Sequence, residues 1–104
     1  DNDRPVVAFS GIANPDYFIE SLKNLNIKIE KELRFENHAK YNHAKYQQLE
    51  RKNINDLSFI TTYKDFVKLD AGFKNKHTIF VLEYYFLIND NKLLNKIKDL
   101  IHEN

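Results

Sequence analysis

Segments with strand character alternate with segments of helix character along this chain, and that order restricts the fold more than any other feature of the sequence. Arg4-Pro-Val-Val-Ala-Phe9 is a short apolar run ended by Ser10-Gly11, which reads as a buried strand. Asn14 can cap the helix that follows and Pro15 can open it. The spacing predicts that helix over 15–25, with Phe18, Leu22 and Leu25 on one stripe. Asn26 closes it, and residues 27–33 alternate apolar with charged, the period of a strand with one wet face. A polar loop over 36–41 leads to Asn42, which caps a helix running to about Lys52, with Ala44 and Leu49 among its inward residues. Residues 57–60 form a third strand, and Thr61-Thr62 leads into a short helix over 63–69. Residues 70–76 read as a loop built around Gly72. Residues 77–88 are a long β-branched and aromatic run in which a bend or an exposed end is expected. Asn89-Asp90 opens a last helix with Leu93, Leu94, Ile97, Leu100 and Ile101 on one side. Such alternation predicts an α/β fold: one small domain with a mainly parallel sheet, helices on both faces and right-handed crossovers, a Rossmann-like three-layer sandwich.

Composition sets the outer bounds. With 104 residues the chain suits a single domain and leaves no room for two. Sixteen Lys and Arg against 15 Asp and Glu give a net charge of +1, which argues against a dedicated nucleic-acid binder. The sequence has no apolar run near the roughly 20 residues of a membrane span. Zero Cys excludes a disulfide framework, a thiolate metal site and cysteine catalysis. The absence of Met, with an Asp1-Asn2-Asp3 start, fits a piece of a longer chain or a processed secreted protein. The pentapeptide Asn-His-Ala-Lys-Tyr occurs twice, at 37–41 and 42–46, once in a predicted loop and once in a predicted helix. Two copies of five residues are too short for a solenoid, and the duplication reads as coincidence.

In a parallel sheet, ligands gather beyond the carboxyl ends of the strands. The segments at 10–14, 36–41 and 61–65 each follow a predicted strand, and they bring Asn14, Asn37, His38, Tyr41, Thr62, Lys64 and Asp65 to one edge. Several of these have a purely structural explanation. Asn14 fits a helix cap, and Thr62 with Asp65 three residues later fits a capping box. Lys64 is harder to absorb, because a cation in the first helical turn opposes the helix dipole. A phosphate or a partner carboxylate nearby would repair that mismatch. His38 carries an imidazole, which titrates near neutral pH and can take a proton from an alcohol. Its neighbours lack metal-ligand spacing, so no metal site is expected. The chain has no GxGxxG, GxxxxGK[ST] or GxSxG motif, so it cannot cradle a nucleoside triphosphate in the usual P-loop manner.

Four segments, in this order, resemble the second domain of the tetraacyldisaccharide 4'-kinases. Ala8-Phe-Ser-Gly-Ile-Ala-Asn-Pro15 with Phe18 is similar to the family pattern A-F-x-G-I-x-N-P-x-x-F. Phe35-Glu-Asn-His38 with Tyr41 resembles F-x-D-H-x-x-Y, and residues 61–69 resemble T-T-E-K-D-A-V-K-L. A closing strand and helix complete the likeness, which covers nearly the whole chain. Two positions depart from the pattern. Asn37 stands where the family usually has Asp, and Tyr63 stands where Glu is common.

The resemblance implies the C-terminal domain of a kinase that moves the ATP γ-phosphate onto the 4'-hydroxyl of a tetraacyldisaccharide 1-phosphate, yielding lipid IVA in lipid A biosynthesis. It implies ATP and Mg²⁺ bound mainly by an N-terminal P-loop domain that this chain does not contain, and none bound by the fragment alone. The implied partners are that domain, the lipid A disaccharide and the membrane surface, with the enzyme at the cytoplasmic face of the bacterial inner membrane. It also implies that His38 helps activate the sugar hydroxyl, while Asn14, Asn37, Tyr41, Thr62, Lys64 and Asp65 line the cleft. The alternative from a different class is a non-enzymatic α/β interaction module with a partner-binding sheet edge. A P-loop motif upstream in the same reading frame separates the two.

Overall fold

The computed structural model describes residues 4–82. Four strands, β1 (Val6–Ser10), β2 (Ile29–Arg34), β3 (Phe59–Thr62) and β4 (Ile79–Leu82), form one sheet in the order β2-β1-β3-β4. Every pairing is parallel. The helices are α1 (Pro15–Asn24), α2 (His43–Lys52), α3 (Tyr63–Phe66) and α4 (Ala71–Lys76). The predicted α/β sandwich with a parallel sheet is thus the observed architecture.

All five residues of β1 are buried, as befits a strand with neighbours on both sides and helices on both faces. Val6, Ala8 and Ile12 pack with Phe18, Ile19 and Leu22 of α1 and with Ile60 on one face. Val7 and Phe9 pack on the other face with Leu49 of α2, Phe73 of α4, and Leu57, Phe59 and Leu69. Alternate side chains of one strand therefore feed two separate cores. Edge strand β2 alternates half-buried and exposed residues, which is the wet face that its sequence announces. Rings continue the second core from one end of the sheet to the other. Tyr41 packs against Phe9 and Phe35, Tyr46 stacks on Phe73 at 4.7 Å, and Phe73 lies 4.6 Å from His77.

The ends of the elements show the local chemistry. Asn26 adopts left-handed backbone (φ 61°) after α1, with its N–H on the Lys23 carbonyl and the Ile27 N–H on that of Leu22. That double closure satisfies carbonyls the helix would otherwise leave open. Asn42 caps α2 by accepting from the Lys45 N–H at 3.1 Å. The buried Asn53 side chain accepts from the Leu57 N–H and donates to the Leu57 carbonyl, both at 2.8 Å, and so closes the turn into β3.

Four expectations need correction. Thr61 and Thr62 belong to β3, because their branched side chains fit a pleated, fully buried position. The helix expected over 63–69 is a single turn, α3, ending at Phe66. The stretch around Gly72 is a helix, since Asp70 accepts from the Phe73 N–H at 2.8 Å and supplies the start signal that offsets the glycine. Ala44 faces solvent, whereas Leu49 is buried as expected and Tyr46 packs inward beside it. The strand expected to continue to residue 88 is described only as far as Leu82, and the helix expected from Asn89 lies outside the described residues.

A candidate cleft at the carboxyl ends of the strands

Because β1, β2 and β3 run parallel, the segments that leave them emerge at the same edge of the sheet. There they enclose a cleft of about 270 Å³ lined by Gly11, Ile12, Ala13, Asn14, Tyr17, Asn37, His38, Lys64 and Lys68. Four residues expected to share this edge, Asn14, Asn37, His38 and Lys64, do line the cleft together. Tyr17 and Lys68 also line it, and sequence reading missed both. Tyr17 lies on α1 and Lys68 just beyond α3, and only the tertiary fold turns them toward the cleft. No acidic side chain occurs among the described lining residues, whereas two ammonium groups and an imidazole do.

Asn14 occupies the N-cap position of α1 yet makes no side-chain capping hydrogen bond. The capping role expected of it is therefore not used. Pro15 sits at the first helical position, where its missing N–H leaves no bond unmade and its fixed φ suits the helix start. Lys64 lies on a helix of four residues, so the conflict with a helix dipole that its position suggested has little weight.

His38 is exposed and holds left-handed backbone, φ 60°, which is uncommon for a residue other than glycine. Its N–H donates to the Gly11 carbonyl at 3.0 Å. The loop that carries it is pinned elsewhere too. The Phe35 N–H donates to the Ser10 carbonyl at 2.8 Å, and Ala39 is fully buried. A Cβ on Gly11 would come within 2.6 Å of the Ala39 Cβ and 2.9 Å of the Glu36 carbonyl oxygen, so the two loops meet only because residue 11 is glycine. Outside this contact, Lys45 pairs with Glu36 at 3.1 Å. The Glu36 carboxyl is held below its ordinary value, first by its own backbone N–H and then by Lys45.

Thr62, Asp65 and Tyr41 do not line the cleft; they tie together the loops that do. Asp65 is fully buried, and its Oδ1 accepts from the Gly11 N–H at 3.0 Å and from the Tyr41 hydroxyl at 2.8 Å. Its Oδ2 accepts from the Thr62 hydroxyl at 2.6 Å, while the Thr62 oxygen accepts from the Asp65 N–H at 3.1 Å. The expected cap at Thr62 is present, but the Asp65 carboxylate is directed to other loops as well. Burial, followed by the charge of Asp65, raises the Tyr41 hydroxyl far above the ordinary tyrosine value, so it remains a donor.

The cleft offers amide, imidazole and ammonium groups to a ligand. Amides and ammoniums suit phosphate oxygens, and an imidazole suits proton transfer. Mg²⁺ prefers an octahedron of oxygen ligands with at least one carboxylate, and the described cleft side chains do not supply it. Among the described residues no group of three or more His, Asp or Glu is placed to hold a metal ion.

Known proteins place this architecture in context. A sequence model of tetraacyldisaccharide-1-P 4'-kinase matches residues 1–102. The tetraacyldisaccharide 4'-kinase of Pelagibacter ubique is 35% identical over all of this chain, which covers 33% of that protein. The Rickettsia canadensis enzyme of the same name is 36% identical over 92% of the chain and 29% of its own length. A crystal structure of the Aquifex aeolicus protein LpxK in complex with ATP aligns with 91% of the chain and 28% of its own, at 27% identity and a TM-score of 0.58. The chain thus spans about a third of the length of the curated relatives it matches. With a family match over nearly its entire length and a fold shared with a solved member, this chain belongs to the tetraacyldisaccharide-1-P 4'-kinase family.

Proposed function

We propose that this chain is the C-terminal domain of a two-domain lipid A disaccharide 4'-kinase and supplies one wall of its active site. The observation that carries this reading is the cleft beyond the parallel strands, where His38 stands beside Asn14, Asn37, Lys64 and Lys68. In the reaction, the acceptor's 4'-hydroxyl oxygen bonds to the γ-phosphorus as the bond to the β–γ bridging oxygen breaks and ADP leaves. The hydroxyl proton passes to His38, which orients or deprotonates the alcohol. Lys64 and Lys68 place positive charge where phosphate oxygens, or a carboxylate of the opposing domain, would meet this wall. Asn14 and Asn37 offer amides at the rim.

Phosphoryl transfer depends mainly on positioning and charge stabilisation, which a cleft of this composition can supply. ATP and Mg²⁺ belong, in this reading, to an N-terminal P-loop domain, since this chain has neither a P-loop nor an oxygen-rich metal site in its described cleft. The substrate is a lipid, so the intact enzyme works at a membrane surface, at the cytoplasmic face of the bacterial inner membrane. No described helix is long and apolar enough to cross a membrane. This chain alone is expected to show no kinase activity and no tight ATP binding.

General-base assistance is worth about 10²- to 10⁴-fold. His38→Ala in the intact enzyme should therefore lower kcat by roughly that factor in a phosphoryl-transfer assay. A fall of less than about threefold would remove His38 from the chemistry.

A further inference from the structure

We propose that Asp65 is a positioning residue for His38, a buried carboxylate that holds the imidazole loop in register with the end of β1. This inference rests on the reading of His38 as the group that meets the acceptor hydroxyl. The described loops after β1, β2 and β3 leave the sheet at this edge, and Asp65 touches each of these. It binds its own through Thr62, the loop after β1 through the Gly11 N–H at 3.0 Å, and the loop after β2 through the Tyr41 hydroxyl at 2.8 Å. The partners lie 54 and 24 positions away in sequence, so these are tertiary ties and not local turn bonds.

Gly11 relays the constraint. Its N–H is held by Asp65, and its carbonyl accepts from the His38 N–H at 3.0 Å. The far end of the same loop is held at Tyr41, three residues beyond His38, by the same carboxylate oxygen. His38 is therefore fixed from both sides by one buried group, in a left-handed backbone conformation that a free loop would populate weakly. A capping acid would turn its carboxylate back to the backbone N–H of the cap residue. Asp65 instead directs Oδ1 to two other loops, which a helix of four residues does not require. The polar side chains that line the cleft are exposed, whereas Asp65, which ties their loops together, is fully buried.

The test uses the intact two-domain enzyme and two variants. Tyr41→Phe removes one hydroxyl and leaves the ring packed against Phe9 and Phe35; Asp65→Asn keeps the shape and removes the charge. Geometry errors of about 1 Å can cost up to about 100-fold in rate. Each variant should thus lower kcat by about tenfold or more, with KM for ATP and for the acceptor within about twofold. In a His38→Ala background the same substitutions should change kcat by less than about twofold, because there is no imidazole left to misplace. A merely structural role would lower activity equally in both backgrounds, and that result overturns the inference while leaving His38 in place. An unchanged kcat for Tyr41→Phe in the His38 enzyme also overturns it, even where Asp65→Asn does not fold. If His38→Ala alone leaves kcat within threefold, the functional reading fails, and the positioning role falls with it.

Discussion

Gly11 shows how much of the cleft depends on a single missing methyl group. Its hydrogen would be replaced by a carbon 2.6 Å from the Ala39 Cβ and 3.3 Å from the Asp65 Oδ1. The first of these neighbours is fully buried, and the Glu36 carbonyl is backbone, so neither can swing aside. Gly11→Ala should therefore destabilise the domain by about 1–3 kcal/mol, the usual cost of overpacking, as read from the shift in its urea unfolding transition. An unchanged transition would show that the His38 loop yields freely. Residue identity alone announces part of this site. His38, Asn37, Asn14 and Lys64 stand out because they follow strands. Asp65 stands out by the same placement and as half of a capping motif. Its ties to Gly11 and Tyr41 span the chain and leave no local signature. Tyr17 carries no distinguishing pattern, and Lys68 shows only as a matched position of the 61–69 segment.

The helices separate capping residues in name from capping residues in fact. Asn42 and Asp70 each accept a backbone N–H from the first turn, at 3.1 and 2.8 Å, whereas Asn14 accepts none. Asn42→Ala and Asp70→Ala should each cost about 1 kcal/mol in denaturant unfolding. Asn14→Ala should stay within about 0.5 kcal/mol, the range of ordinary surface changes. Equal losses at all three positions would contradict this division. The strands were more legible than the helices. The buried run of β1 and the alternation of β2 follow directly from their side chains, because burial on two faces or one face leaves different patterns. For α4, a glycine suggested a loop and an aspartate made a helix, and the balance was settled by Phe73, which packs into the second core.

At the scale of the molecule, the sheet separates two different ends. The cleft lies beyond the carboxyl ends of the strands. His77, which precedes β4, lies at the opposite end and binds Glu50 at 2.8 Å, with Lys76 on the same carboxylate at 3.0 Å. The hydrogen bond from His77, then that from Lys76, holds the Glu50 carboxyl below its ordinary value of 4.5. Its folded-state value is thus lower than its unfolded one, so in acid the unfolded chain takes up the proton first. The contribution of this cluster is present above about pH 4.5 and is lost as pH falls through the lowered value. Glu50→Gln removes the titrating group, so the variant should lose less stability than the parent between about pH 6 and pH 3. Equal acid losses would show that the cluster does not couple to folding.

The repeated pentapeptide marks the boundary between what was written locally and what was not. In its second copy Asn42 caps α2, Ala44 is exposed, and the Tyr46 hydroxyl accepts from the Asp70 N–H at 2.9 Å. In its first copy Asn37 lines the cleft, His38 turns left-handed, Ala39 is fully buried, and Tyr41 binds Asp65. Five identical residues therefore take two conformations, and no local propensity can distinguish them. The alternation of strands and helices is written in the local order of residues, because hydrophobic period and helix-start residues act over a few neighbours. Which loop carries His38 to the cleft, and which carboxylate holds it there, follows from the fold alone, because those bonds join residues that only the parallel sheet brings together.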